Sequence, residues 1–295
     1  MEARRVNLSS LLMSVRGTLE KAGVPSPAVD AEILISHALD IPRSHIHLEP
    51  GRHLSASEKN LIEDLARRRA MRIPLQYVIG ESEFMSLTFK VPKGVFIPRP
   101  ETEILVEALI ERAEGRSRPP GMMLDLGTGS GVIAVSLAVH FNAGLVVGSD
   151  VSRLAVEIAG QNAILNGVAR LTQFVVGDGL SPFGTAAGGE RHARFDVVAC
   201  NPPYVSSAEI DDLEPEVRDH EPRIALDGGA NGLEFIESIL PRIPSIIVRG
   251  GIAGIEIGET QAGPVTEIFR SAGLRGIEVV EDLNGKARVV IGRGA

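Results

Sequence analysis

The sequence predicts an α/β protein: a Rossmann-like, mostly parallel sheet with an antiparallel edge hairpin, preceded by a small helical domain. Three observations carry that expectation. Apolar residues before residue 83 recur at helical spacing, and Met122–Leu126 is an apolar strand that runs through a glycine turn into the helical stretch from Val132. Further short apolar runs follow at 145–150, 172–176 and 195–200, strand material is expected at 245–248 and 254–257, and the chain closes on two strands, 276–281 and 288–292, spaced as a hairpin.

A length of 295 residues suits one large domain or two. The 30 basic and 38 acidic residues leave a net charge of −8, which gives no general attraction to phosphate backbones and argues against a non-specific grip on long nucleic acid. Aromatics make up 4% with no Trp, a poor supply for a base-stacking platform. One cysteine excludes an internal disulfide framework and fits a reducing compartment. The first residues carry Glu2, Arg4 and Arg5 around a brief Leu11-Leu12-Met13 patch, too short for a signal sequence, and 132–148 reads as a buried helix and strand rather than a membrane span. A cytoplasmic protein without a membrane partner is expected.

The N-terminal part reads as helices. Leu11, Leu12, Val15 and Leu19 follow a cap at Ser9-Ser10, and Ile33, Leu34 and Leu39 form the apolar face of a helix after Pro25-Ser26-Pro27. Ser55-Ala56-Ser57-Glu58 has capping-box form before Leu61, Ile62 and Leu65. Arg67-Arg68-Arg69 on that helix reads as an anion patch or as a solvated face, and the solvated face is favoured. His45 and His47 lack the further ligands a metal site needs. Phe84, Leu87, Phe89, Val91 and 95–97 suggest a hairpin turning at Pro92-Lys93-Gly94. The expected division is a helical domain at 1–82, a connector at 83–99 and an α/β domain at 100–295.

In the α/β domain, Asp125-Leu-Gly127-Thr128-Gly129-Ser130-Gly131 makes a tight turn where small residues admit a ligand to the backbone and helix-terminal N–H groups point at it. The dinucleotide pattern G-x-G-x-x-G would need glycine at 132, where this chain has Val132, and a glycine turn alone is also compatible with a mere loop. Asp150 ends the second strand about 20 residues further on, the offset at which a carboxylate accepts from ribose hydroxyls. It also suits the cap of the next helix. Asp178, with Gly179, ends the third strand and reads as an acceptor for an adenine amino group or as a plain turn acid. A surface loop is expected at 186–194.

The fourth strand, Phe195–Cys200, runs into Asn201-Pro202-Pro203-Tyr204. Consecutive prolines fix the backbone and have no N–H, so the turn presents carbonyl acceptors. The Asn201 side-chain oxygen adds another acceptor and Tyr204 a flat face. That constellation suits a planar NH2 group held between Asn201 and the Pro202 carbonyl. Cys200, inside the strand, reads as a small buried residue rather than a nucleophile.

The segments 125–131, Asp150 and 201–204 together resemble class I S-adenosylmethionine-dependent methyltransferases acting on planar nitrogens. Three more segments narrow the resemblance to the release factor glutamine methyltransferases, the PrmC or HemK family. They are Phe96-Ile97-Pro98-Arg99-Pro100-Glu101-Thr102-Glu103, Glu221–Gly229 continuing to Leu233, and Asp282–Val290. The resemblance covers essentially the whole chain. It implies transfer of a methyl group from S-adenosylmethionine to the glutamine amide N5 in the Gly-Gly-Gln motif of class 1 peptide chain release factors, a protein partner rather than nucleic acid. By the same resemblance Gly127, Thr128, Gly129, Ser130 and Gly131 hold the methionine part of the cofactor and Asp150 the ribose. Asp178, Gly179 and Asn201 complete its site, no metal is implied, and Asn201, Pro202, Pro203 and Tyr204 carry the target glutamine, with Phe96 and Arg99 as further substrate contacts. The chain departs from some members at Gly179, where an aromatic would pack on the adenine; Phe183 is a candidate replacement. The alternative is methylation of an exocyclic amino group, adenine N6 or guanine N2, in nucleic acid.

Overall fold

The structure, a computed structural model, describes residues 7–116, 118–183 and 194–295. Residues 186–193 of the expected surface loop lie outside the described residues. The chain forms two units: one comprises the N-terminal residues to Gly80 with Glu214–His220, the other Glu81–Leu213 with Glu221–Ala295. Among the described residues no helix is long and apolar enough to cross a membrane.

The first unit contains α1 (Leu8–Lys21), α2 (Pro27–Leu39), α3 (Arg43–Leu48), α4 (Ala56–Ala70) and α5 (Leu75–Ile79). Leu8, Leu11, Val15 and Leu19 of α1 pack on Leu34, Ile35 and Ile62 in one apolar core. The cap of α1 is Asn7, whose side chain accepts from the Ser10 amide at 2.8 Å, and not the Ser9-Ser10 pair. Ser10 instead donates its hydroxyl back to the Asn7 carbonyl, so the serines lie inside the first turn. The capping box of α4 forms as expected, between Ser55 and Glu58.

The basic run is not uniformly solvated. Arg67 is exposed and pairs with Asp64, whereas Arg69 is buried between Asp30 at 2.7 Å and Glu216 at 2.8 Å. Arg72 adds two bonds to the same Glu216 carboxylate, which sits in the short α9 (Pro215–Arg218). Burial raises the Glu216 pKa, but hydrogen bonds from Arg72 and Arg69 outweigh it and hold the group at about 2. Removing Arg69 would leave Asp30 buried without its cation and strip Glu216 of one of its two.

The second unit contains the hairpin β1 (Glu81–Phe84) and β2 (Leu87–Lys90), then α6 (Glu101–Glu114), β3 (Met122–Leu126), α7 (Val132–Phe141), β4 (Leu145–Asp150), α8 (Arg153–Leu165), β5 (Thr172–Val176) and β6 (Phe195–Cys200). After the excursion through α9 come α10 (Glu234–Ile239), α11 (Ile243–Ile246), β7 (Ile247–Glu256), α12 (Ala262–Ser271), β8 (Arg275–Glu281) and β9 (Ala287–Arg293). The large sheet has the order β5-β4-β3-β6-β7-β9-β8, parallel from β5 to β7 and antiparallel at β9 and β8. Chain order reverses between β3 and β6. The turns leaving these two strands therefore face each other at the carboxyl edge, where open α/β sheets form a ligand crevice.

Two elements differ from the sequence reading. The hairpin turns at Met85-Ser86, both with positive φ (50° and 60°), and not at Pro92-Lys93-Gly94. No glycine or asparagine marks that turn, and the Glu103 carboxylate accepting from the Met85 amide at 2.6 Å helps hold it. The stretch expected as two strands, 245–248 and 254–257, is the single strand β7. Gly250, at φ +70°, absorbs an irregularity, and pairing with β6 resumes at Val197 opposite Ile252.

For the first unit, Arg69→Ala is expected to lower the unfolding free energy by about 3–5 kcal/mol in urea titration, the cost of breaking a buried ion pair. Glu216 carries a folded pKa below its ordinary 4.5, so its contribution to stability is present above that value and is lost as pH falls toward about 2. Acid titration of wild-type and Glu216→Gln proteins checks this: the variant lacks that part of the acid-induced loss.

Candidate active site

The glycine turn after β3 is shaped from within. The amides of Gly127 and Thr128 both donate to the Ser149 carbonyl, at 2.8 and 2.9 Å, and that of Gly129 donates to Asp150 Oδ2 at 2.9 Å. Gly127, Gly129 and Gly131 all have positive φ (70°, 55° and 83°), which explains the alternate glycines. At Gly131 a Cβ would also lie 2.9 Å from the Ala159 Cβ and 3.1 Å from its Cα, so α7 and α8 could not keep their approach. Asp125, wholly buried, accepts from the Thr128 hydroxyl at 2.6 Å and from the Ala134 amide at 3.1 Å. Several of the turn's N–H groups are thus spent on the turn itself.

Asp150 closes the cradle from β4. Besides Gly129 it accepts from the Ser152 amide at 2.8 Å, while the cap of α8 is Ser152. Each Asp150 oxygen thus has one backbone partner, and the residue lines the crevice. Burial raises its pKa, opposed by those backbone hydrogen bonds, and burial likewise pushes Asp125 up to about 7. Asn162, wholly buried on α8, was not singled out in the sequence. It donates to the Ser130 carbonyl at 2.8 Å and exchanges hydrogen bonds with the Lys90 backbone, joining the glycine turn to β2.

These strand ends surround a cavity of about 390 Å3, within the range of small-molecule sites. Gly127, Thr128, Gly129 and Ser130 form one wall, and Asp150, Asp178 and Gly179 the next. Asn201, Pro202, Pro203 and Phe96 line it as well. Three predicted residues stand back from the wall. Gly131 shapes the helix start, Arg99 packs 4.9 Å over the Phe96 ring and donates to Glu221, and Tyr204 directs its hydroxyl at Glu256 Oε1 (3.4 Å). Tyr204 therefore does not present its ring to the cavity; burial, with Glu256 nearby, pushes its phenol pKa up. Phe183 packs edge-on against Phe195 with ring centroids 5.5 Å apart, away from the cavity. Phe235 lines the cavity instead, one turn before Ile239 on α10, whose side chain lies 3.5 Å from where a Cβ on Gly179 would be.

Glu221 ties two of the motif segments together. Its carboxylate, almost wholly buried, accepts from the Ile97 amide at 3.2 Å as well as from Arg99. The chain then returns along the cavity at Ile224, Ala225 and 227–229. Gly228 passes so close to the Asn-Pro-Pro-Tyr turn that a Cβ there would sit 2.7 Å from the Pro203 carbonyl oxygen.

Behind Asn201 lies a polar network that sequence reasoning missed. Asn201 Nδ2 donates to Thr102 Oγ1 at 2.9 Å, and the buried Glu256 carboxylate at the end of β7 accepts from the Tyr204 hydroxyl. Thr102 and Glu256 are each 1% exposed. Burial pushes Glu256 up to about 7, with Thr102 and Tyr204 pulling it down and Glu101 pushing it further up. The only signal in the sequence was Thr102's place in the connector motif. Glu256, between Ile255 and Ile257, carries no signal of its own in the sequence.

Comparison with known proteins gives three kinds of match. Residues 10–80 match the PrmC N-terminal domain family and residues 86–215 the methyltransferase small domain family. The release factor glutamine methyltransferase of Geobacter sulfurreducens is 40% identical over 229 residues, covering 78% of this chain and 76% of that protein. The protein of the same name from Nitratidesulfovibrio vulgaris is 41% identical over 233 residues, covering 79% and 76%. Among solved structures, a T. thermophilus 16S rRNA N2 methyltransferase in complex with AdoMet and guanosine matches with a TM-score of 0.53 at 18% identity, over 73% of this chain and 50% of that one. At that identity the likeness speaks for the methyltransferase fold alone.

Gly131→Ala is expected to cost about 1–3 kcal/mol through the positive φ and the contact with Ala159. Thermal unfolding of the variant checks this; an unchanged midpoint would contradict the assigned packing.

Proposed function

The chain belongs to the release factor glutamine methyltransferase family, and from that membership we propose that it methylates the side-chain amide N5 of the glutamine in the Gly-Gly-Gln motif of class 1 peptide chain release factors, using S-adenosylmethionine. The observation that carries the reading is Asn201 on the cavity wall with its amide nitrogen bound to Thr102. That bond occupies the donor end of the side chain and leaves Oδ1 as an acceptor on the cavity side. Beside it Pro202 contributes a backbone carbonyl from a residue without an N–H.

The cavity suits the cofactor by the chemistry of its walls. The glycine cradle at 127–130 would hold the methionine part, Asp150 would accept from ribose hydroxyls, and Asp178, Gly179 and Phe235, which line the same cavity, would hold the adenine. Bound there, S-adenosylmethionine supplies a methyl carbon made electrophilic by its sulfonium. A glutamine amide nitrogen is a weak nucleophile because its lone pair is delocalised into the carbonyl. Asn201 Oδ1 and the Pro202 carbonyl accept its two N–H hydrogens, enriching the nitrogen and fixing the face it presents to the methyl group. The bound cofactor would give up its methyl group and be left as a neutral thioether, and the proton lost from the nitrogen would pass to solvent. Orientation and fixed dipoles supply the rate gain, and no strong base is required. Phe96 borders the glutamine, and Arg99 acts by holding Phe96 and Glu221 in place.

Incubation with labelled S-adenosylmethionine and a class 1 release factor, an RNA mixture or DNA tests the substrate. Label is expected on the release factor glutamine; label on RNA or DNA alone would refute the reading. Asn201→Ala is expected to keep cofactor affinity while turnover falls at least ~10²-fold, the scale of losing an oriented hydrogen-bonding group. Unchanged turnover would remove Asn201 from the mechanism.

A further inference from the structure

The Asn201-Pro202-Pro203-Tyr204 turn has little means of holding itself. Pro202 and Pro203 have no N–H to give, so across both residues the turn donates no backbone hydrogen bond. The direction of the Pro202 carbonyl then depends on how the chain is fastened on either side. Before the prolines the fastening is Asn201 Nδ2 on Thr102. After them, the Val205 amide donates to the Leu226 carbonyl at 3.0 Å and the Val205 carbonyl accepts from the Gly228 amide at 2.8 Å. The exit of the turn is thereby laid along the returning chain.

One side chain completes that fastening. Gln261, the half-buried residue before α12, donates from Nε2 to the Tyr204 carbonyl at 3.0 Å and to the Gly232 carbonyl at 3.2 Å. Its Oε1 accepts from the Gly258 amide at 3.0 Å, just past the end of β7. Both amide hydrogens and the oxygen are used, all on backbone groups of fixed polarity, so only one orientation of the amide satisfies them. The packing around it is close. A Cβ on Gly232, where φ is +72°, would lie 2.3 Å from the Tyr204 carbonyl oxygen and 2.7 Å from Gln261 Nε2. Gln261 is not on the cavity wall, yet the turn that carries Asn201, the returning loop and the end of β7 all meet at its amide.

We propose that Gln261 is a positioning residue for methyl transfer: by pinning the Tyr204 carbonyl it fixes the backbone from which Asn201 Oδ1 and the Pro202 carbonyl meet the glutamine NH2. This role rests on reading the site as a glutamine amide methyltransferase centre. The glycine turn that would hold the cofactor is fastened separately, to Ser149 and Asp150 on β4. Loss of the Gln261 clamp therefore displaces the amide acceptors and leaves the cofactor cradle as it is.

Two variants test the clamp. Gln261→Met keeps the length of the side chain and loses all of its hydrogen bonds, whereas Gln261→Glu keeps the shape and turns an oxygen toward the two carbonyls. Calorimetric titration with S-adenosylmethionine gives the affinity and the number of intact sites, and kcat with a release factor is expressed per intact site. Cofactor affinity is expected within about twofold of wild type while kcat falls about tenfold or more, since misplacing a reacting group by ~1 Å can cost ~10²-fold. In a double-mutant cycle with Asn201→Ala, Gln261→Met should cost much less than it does alone, because groups that act as one unit are not additive. Wild-type kcat per site in both variants, a loss of cofactor binding as large as the loss of kcat, or additive losses in the cycle overturns the role. Wild-type protein that fails to methylate the glutamine at all overturns the substrate reading instead, so the two failures are separable.

Discussion

One hydrogen bond, from Asn201 Nδ2 to the Thr102 hydroxyl, joins the carboxyl end of β6 to the first turn of α6. A planar NH2 target has to meet two acceptors in its own plane, and this bond determines that Asn201 offers one. Much of the second unit serves to bring its partners together. The sheet reversal sets the glycine turn beside Asn201, and β7, the next strand over, ends in the buried Glu256. The Glu221 carboxylate then binds the connector that carries Phe96 and leads into α6. The cavity is a consequence of topology, while its chemistry depends on a few buried polar contacts.

Those contacts are costly. Asp125, Asp150 and Glu256 all sit at carboxyl ends of parallel strands, and burial raises the pKa of each. A carboxyl whose folded pKa lies above its unfolded value costs stability once pH exceeds the unfolded pKa. The fold tolerates this at one edge of one sheet, whereas in the first unit Glu216 is held low by two arginines. Costly buried carboxyls gathered at a cavity are the pattern expected of a functional site.

How far the sequence could be read follows from how local each signal was. The strands leading to the glycine turn and to Asn201-Pro202-Pro203-Tyr204 were legible because apolar runs and glycine or proline punctuation act within a few residues. Backbone chemistry carried the rest of that motif, since a proline without an N–H offers only its carbonyl whatever surrounds it. The Met85-Ser86 turn escaped because a carboxylate 18 residues away helps hold it and no turn residue marks it. Arg69 looked like one of three solvated arginines, and only the fold shows Asp30 and Glu216 on either side of it. Thr102 and Glu256 were the most consequential omissions. Each is an ordinary residue in its own window, and the meaning arises where α6, β6 and β7 converge. Tyr204 illustrates the reverse: a residue noticed for its flat face that turns its hydroxyl to a buried acid.

The central claim is that Asn201 acts as an acceptor toward the amide nitrogen of a glutamine. Its most direct test is a crystal structure of the protein with S-adenosylhomocysteine and a release factor fragment containing Gly-Gly-Gln. The account predicts the glutamine side chain in the cavity, its nitrogen within hydrogen-bonding distance of Asn201 Oδ1 and the Pro202 carbonyl, and Asn201 Nδ2 still on Thr102. A glutamine bound elsewhere, or one whose oxygen rather than nitrogen meets Asn201, would contradict it.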